Sequence, residues 1–319
     1  MPAARILRDP AGDDNRRAGL RCRRAFSDRG APVRLGVVGL VPGDPRAVTG
    51  EQLQQAASLG VSAACFHVPG PVLAAVTDND LRDCRRRYRD AGLGLAQMGV
   101  GYSECLFDPD PAVRAAIQAS IARGLAVAGE LDAGVVLIRT GSLSPTGSYS
   151  PSPRNHEPGR LDTLIGELRT VAAAAESAGI TVVVETHNLT ILGTPEINRQ
   201  VIDAVGSPRL GVVMDFVNHF QSLEQAYAST DRINHIFDLM GPVAPVGHIK
   251  DLATADGFVV HLNEAAPGEG CLDLHTAVRR WEALAPDRYL LVEHLPDERI
   301  PTAVANVQRI AAEAGVAIH

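Results

Sequence analysis

"ITVVVETHN" (residues 180–188) decides how this chain is read. It begins as a nearly unbroken β-branched run, as in a strand covered on both faces, and reaches Glu185, the residue type such a strand least tolerates. The pattern recurs. From residue 33 onward, apolar runs at 33–40, 62–68, 92–100, 133–140, 180–188, 210–218, 245–251 and 289–295 alternate with longer segments of helical spacing. In residues 160–179 the apolar positions Leu161, Leu164, Ile165, Leu168, Val171, Ala172 and Ala175 share one helical face, and Gly179 stands at the C-cap. Residues 300–315 repeat this with Ile300, Ala303, Val304, Val307, Ile310, Ala311, Ala314 and the closing Gly315. Eight such strand–helix units predict a parallel sheet closed into a single (β/α)8 TIM barrel over residues 33–319. A doubly wound open sheet is the alternative, but its dinucleotide fingerprint is missing: "GVVGLVPGD" carries only a GxxG.

Residues 1–32 mix Arg, Asp, Gly and Pro without an apolar period and read as a flexible N-terminal extension. The chain as a whole has the 45% apolar and 21% charged content of an ordinary globular protein. A net charge of −7 argues against a nucleic-acid partner and for a small-molecule one. Five scattered cysteines without a CxxC pair suggest neither a disulfide framework nor a thiolate zinc site, and so a reducing cytoplasm. No apolar run approaches the roughly 18 residues that span a bilayer, and no signal peptide is evident, so no membrane partner is expected.

If the runs are barrel strands, Glu185, Asp215, His248 and Glu293 stand at the C-terminal ends of four consecutive strands, where barrel active sites lie. Strand alternation places Thr181, Val183 and Glu185 on one face, as it does Gly211, Val213 and Asp215, Val246 and His248, and Leu291 and Glu293. Any one of these could be a solvated strand end. Three converging carboxylates, however, repel one another and need a counter-charge. One divalent cation is the simplest solution: oxygen donors with one imidazole suit Mn²⁺ first, with Mg²⁺, Co²⁺ or Zn²⁺ as alternatives. By the same parity His187 and Lys250 point inward above Glu185 and His248, His67 and Arg139 line the pocket from strands two and four, and His294 turns away beneath a helix. Two long connections follow strands: residues 141–160, a lid or a disordered insertion, and residues 252–273, whose "PGEG" either cradles an anion or forms a plain turn before an Asp273 helix cap.

The pieces "VVVETHN", "VVMDFVN", "GHIKD", "APGEGCLD" and "LLVEHL", in this order, resemble the xylose-isomerase-like barrels, a family of sugar and sugar-phosphate isomerases and epimerases, inosose isomerases and dehydratases, and the endonuclease IV type of repair enzyme. The resemblance covers residues 33–319. It implies that Glu185, Asp215, His248 and Glu293 hold one metal, that Glu185 and Glu293 are the acid/base pair, and that the chain forms a dimer or tetramer. The repair-enzyme branch does not fit, because Asn218 replaces a ligand histidine and no D-x-H follows strand seven. Many epimerases of the family use a histidine at the Asn218 position for substrate contact; Asn218 can still bond a hydroxyl, and His219 could substitute.

The expected function is a metal-dependent isomerase or epimerase of a sugar or other polyhydroxylated carbonyl compound. One glutamate takes a proton beside the carbonyl and the other returns one. The same groups would serve a lyase acting on an inosose or a 3-oxo-glycoside, with Phe216 or Tyr149 stacking on the sugar. A noncatalytic sugar-binding barrel is the alternative of another class. No glycine-rich phosphate loop is evident, so a phosphorylated substrate is not favoured.

Overall fold

The computed structural model describes residues 32–284 and 288–319. The expected N-terminal extension therefore lies, but for residue 32, outside the described residues.

Eight parallel strands close the barrel in the order β1-β10-β7-β6-β5-β4-β3-β2. They are β1 (Arg34–Val38), β2 (Ala63–Val68), β3 (Gln97–Val100), β4 (Val135–Arg139), β5 (Thr181–Glu185), β6 (Leu210–Met214), β7 (Val246–Ile249) and β10 (Tyr289–Val292). Every apolar run identified in the sequence contains one of them, the strand being shorter than its run by one to five residues. The helices α1 (Gly50–Ser58), α2 (Gly70–Ala75), α3 (Asp78–Ala91), α4 (Pro111–Leu131), α5 (Arg160–Ala178), α6 (Pro195–Val205), α7 (Leu223–Tyr227), α8 (Ser229–Met240), α9 (Leu274–Leu284) and α10 (Ile300–Ala314) occupy the crossovers. The two helices whose apolar stripes are traced in the sequence, α5 and α10, end at Gly179 and Gly315, both at positive φ (69° and 77°), where a side chain would be strained.

Two cores follow from strand alternation. Inside the barrel, Ala63, Cys65, Val135, Leu137, Val183, Val213, Val246 and Leu291 form a closed apolar plug. Outside it, the opposite faces of the strands meet the helices: Val182 and Val184 of β5 and Val212 of β6 join Leu164, Leu168 and Val171 of α5. Because the plug fills the lower barrel, inward-facing residues at the strand tops are the ones left to line a mouth. Register supports this: Arg139 pairs with Glu185, and His248 with Leu291.

The long 252–273 connection opens as an antiparallel hairpin, β8 (Asp251–Ala255) with β9 (His261–Ala265). Its strands are mostly exposed, so they lack the apolar signature of the barrel strands, and Asp256–Gly257 is the turn signal that marks them. The 141–160 connection is a built loop with a 3-10 turn at Pro153–His156, pinned by buried Asn155, whose Oδ1 accepts from Leu143 N (2.8 Å).

Candidate active site and metal centre

One ligand atom from each of Glu185, Asp215, His248 and Glu293 lies within 4.8 Å of every other, and all four residues are buried. Glu185 is the last residue of β5; Asp215 and Glu293 are the first residues past β6 and β10, still in phase with the inward face; His248 lies within β7.

Three of these side chains have one polar atom held by a neighbour outside the four. His248 Nε2 stands 2.9 Å from Gln97 Oε1, so the Nε2–H donates there and Nδ1 is the ring atom that faces the carboxylates. Asp215 Oδ2 accepts from Lys250 Nζ (2.7 Å) and Asn218 Nδ2 (2.8 Å). Glu185 Oε2 accepts a hydrogen bond from the Tyr149 hydroxyl. The remaining atoms are the informative ones: Asp215 Oδ1 and His248 Nδ1 are buried without a hydrogen-bond partner, and Glu293 Oε1 has none beyond the ion-pair contact of Lys250 Nζ at 3.1 Å. His248 Nδ1 and Glu293 Oε1 face each other at 2.8 Å, two lone-pair atoms that require a cation between them, a proton or a metal ion. The donor set, three carboxylates and one imidazole with no thiolate, is that of a hard or borderline divalent ion. The residues therefore fit a metal ion.

The electrostatics state the same demand. Burial opposes charge on His248, yet Glu293 and Asp215 hold its pKa up at about 10. Burial also pushes Glu293 up, but His248 and Lys250 outweigh it and keep the carboxyl well below its usual range. Asp215 is likewise lowered, burial being overcome by Lys250 and His248. Glu185 alone is raised, by burial and by the nearby charge of Glu293. Of the carboxylates, it is the one that gains a proton most readily.

Lys250, just past β7, is fully buried and bridges Asp215 and Glu293 Oε1 (3.1 Å). It was expected inward and above His248, and it is there, against the carboxylates. Asn218 is buried beside it, donating to Asp215 and accepting from Lys250 Nζ at 3.3 Å, so it braces a candidate ligand. His219 is placed elsewhere: fully buried, its Nε2 lies 2.9 Å from Thr186 Oγ1 and 3.3 Å from the Asn198 amide, and it does not face the mouth. The cause is the 3-10 turn Phe216–His219, which sends adjacent residues in different directions. The same turn buries Phe216 against Phe237, away from any sugar.

His187 follows β5 in a turn; its Nδ1 accepts from Leu189 N at 3.1 Å, and its ring meets Tyr149 edge-on at 6.1 Å. His67 lies across Gly99 of the neighbouring strand, where a Cβ would come within 2.1 Å of its ring, so glycine there makes room for the imidazole. Arg139 donates to the Tyr102 carbonyl and sits 6.0 Å from the Tyr149 ring centroid.

His294 departs from expectation. Simple parity turned it beneath a helix, but β10 has ended and a positive φ of 56° swings the side chain to the mouth. There its Nδ1 stands 3.2 Å from Lys250 Nζ and 3.1 Å from Glu264 Oε2. Glu264 belongs to the hairpin and Gln97 to the start of β3; neither carried a signal in the sequence, since each acts only through a partner distant in the chain. The "PGEG" amides do face an anion, an internal one: Asp251 Oδ2 accepts from Gly268 N (3.1 Å) and Gly270 N (3.0 Å), and its Oδ1 from Leu252 N (2.8 Å) and Leu272 N (3.1 Å). Asp273 caps α9 as expected, accepting from Thr276 N at 3.0 Å.

A family model described as "Xylose isomerase-like TIM barrel" matches residues 53–313. No curated protein sequence matches the chain. Among solved structures, the chain is similar to apo 3-keto-D-glucoside 4-epimerase YcjR from E. coli (TM-score 0.65, 17% identity, 88% of this chain and 99% of that one). It is also similar to a xylose isomerase-like TIM barrel protein from Mycobacterium smegmatis in complex with magnesium (TM-score 0.67, 19% identity, 89% and 96%). A third is a D-psicose 3-epimerase solved in the presence of D-fructose (TM-score 0.66, 19% identity, 88% and 98%). At these identities the likeness speaks for the fold.

Proposed function

The chain belongs to the xylose isomerase-like TIM barrel family, and from that premise we propose that it is a divalent-metal-dependent isomerase or epimerase of a sugar or other polyhydroxylated carbonyl compound. The observation that carries the reading is the convergence of Glu185, Asp215, His248 and Glu293, with Asp215 Oδ1 buried and unpartnered and His248 Nδ1 facing Glu293 Oε1 at 2.8 Å. Those four residues would hold the ion, Mn²⁺ being the first candidate. When bound, it supplies Lewis-acid stabilisation of the charge that develops as a proton leaves the carbon beside a carbonyl.

The chain's own groups do the rest. Glu185 and Glu293 enter the mouth from β5 and β10, with β6 and β7 between them in the barrel order, so two carboxylates approach a bound molecule from different sides. In this reading Glu185 and Glu293 form the acid/base pair, one taking the proton and the other returning it. Lys250 and His294 sit where they can donate to a substrate oxygen, and His67, His187 and Arg139 border the mouth. The fit of 3-keto-D-glucoside 4-epimerase and D-psicose 3-epimerase to the same barrel lends support, both being named for epimerisation of a keto sugar. Assembly into a dimer or tetramer and a cytoplasmic location are part of the same reading. Among the described residues no helix is long and apolar enough to cross a membrane.

The test is metal analysis of the purified protein beside a Glu185→Gln, Glu293→Gln double variant. About one divalent ion per chain, lost in the variant, is the expected result. Solvent-deuterium incorporation at the α-carbon across ketoses, inososes and 3-oxo-glycosides then separates epimerase, isomerase and lyase. Metal retained by the double variant, or absent from the parent under every loading condition, sinks the proposal.

A further inference from the structure

Tyr149 lies far along the chain from the strands that carry the four candidate ligands, in the middle of the 141–160 connection, yet its hydroxyl reaches Oε2 of Glu185. The connection is built to bring it there. Gly141 leaves β4 at a φ of 72°, with the Glu104 carbonyl only 2.5 Å from where a Cβ would stand, so the loop departs tight against the neighbouring β3–α4 segment. Both neighbours of Tyr149 are then tied down. Ser148 Oγ donates to the Ser103 carbonyl at 2.9 Å, and the Ser150 carbonyl accepts from Ser142 Oγ at 2.7 Å. Ser142 is itself held by Asn155 Nδ2 at 3.0 Å, and Asn155 is fully buried. A phenol flanked by two anchored serines has little freedom, and its ring is further packed edge-on against His187 and near Arg139.

Carboxylates that ligate a metal choose between using one oxygen and using both, and a strong donor on the second oxygen decides for one. The other candidate ligands are treated in this way by residues of the barrel wall, Gln97 for His248 and Lys250 with Asn218 for Asp215. For Glu185 the same task falls to a loop residue. We propose that Tyr149 is a positioning residue that clamps Glu185 as a one-oxygen metal ligand, so that the 141–160 loop is an integral wall of the metal centre. The inference rests on the metal reading above and adds to it a residue outside the four ligands. It also means that Oε2 of Glu185 is covered by a phenol rather than by solvent.

The experiment uses the full chain with Mn²⁺ alone, so no substrate need be known. Parent, Tyr149→Phe and Glu185→Gln proteins are stripped, titrated with Mn²⁺ and compared by electron paramagnetic resonance, with melting temperatures of the metal-free proteins as the control for folding. Tyr149→Phe keeps the ring and its packing and removes only the donor. The expected result is that it still binds one Mn²⁺, about 10- to 100-fold more weakly, with an altered zero-field splitting as Glu185 changes its mode of binding, while its metal-free melting temperature stays with the parent's. An Mn²⁺ affinity and spectrum indistinguishable from the parent's overturn the inference and leave the metal centre standing. A parent protein that binds no Mn²⁺ overturns both, and a Glu185→Gln variant with the parent's spectrum removes Glu185, and Tyr149 with it, from the site.

Discussion

Lys250→Met is the perturbation that asks most of this structure. Nζ lies 2.7 Å from Asp215 Oδ2 and 3.1 Å from Glu293 Oε1, with the side chain 1% exposed. At an effective dielectric of about 20 those separations correspond to gross attractions of roughly 6 and 5 kcal/mol, against which the ammonium gives up several kcal/mol of hydration. Methionine has nearly the same length and leaves the packing intact, so the loss is that of the charge. Removing one partner of a buried ion cluster costs about 3–5 kcal/mol, because the remaining charges stay buried. For a chain of this size about 2 °C of melting temperature accompanies each kcal/mol, so the metal-free variant should melt about 6–10 °C below the parent. Divalent metal should restore much of that, since an ion that binds only the folded state at 100 times its Kd adds about 2.7 kcal/mol and here also supplies the missing positive charge. The assay is thermal unfolding with EDTA and with Mn²⁺, at pH 7.5 and again at pH 5, where proton uptake by the carboxylates should narrow the gap. A metal-free variant within 2 °C of the parent at pH 7.5 would refute the buried cluster as described.

Other consequences are more local. Gln97→Leu removes the acceptor that fixes the His248 tautomer; metal affinity should fall about 10- to 100-fold, measured by titration, and an unchanged affinity would mean that the amide does not orient the ring. His219 is held neutral by burial, with its pKa lowered from 6.5 to about 4. The unfolded chain therefore binds the proton first as pH falls, so its contribution is complete above pH 6.5 and is lost on descending toward pH 4, by up to about 3 kcal/mol. His219→Gln should flatten that part of the stability–pH curve relative to the parent, as denaturant titrations at several pH values would show; parallel curves would contradict it. Asp251→Ala strips four backbone amides of their common acceptor and should cost about 3 kcal/mol and speed hydrogen exchange over residues 252–272; unchanged exchange there would mean that the loop is held otherwise.

The barrel was legible in the sequence because its cause is local and repeated. A strand covered on both faces must be nearly all apolar, as in Val182–Val183–Val184, and the helices between must show a single apolar stripe, as α5 and α10 do. The four converging residues were legible for a related reason: period-two alternation and a polar residue at the strand end suffice to place Glu185, Asp215, His248 and Glu293 at one height. Parity failed once the strand had ended. His294 turns on a positive φ and His219 on a 3-10 turn, and neither dihedral is written in the residue types around it. Gln97 and Glu264 were beyond the reach of sequence reading as parts of the site, and Tyr149, offered there as a stacking platform, was not expected to reach Glu185. Gln97 meets His248 across 151 positions of chain and Glu264 meets His294 across 30, and such meetings are decided by how the barrel closes and its loops fold back. The sequence by itself determined the repeated strand–helix pattern and the inward-facing polar residues, because both follow from backbone periodicity. Only the tertiary structure decided which atom of each ligand is held and which is left free, because that depends on donors brought together through space.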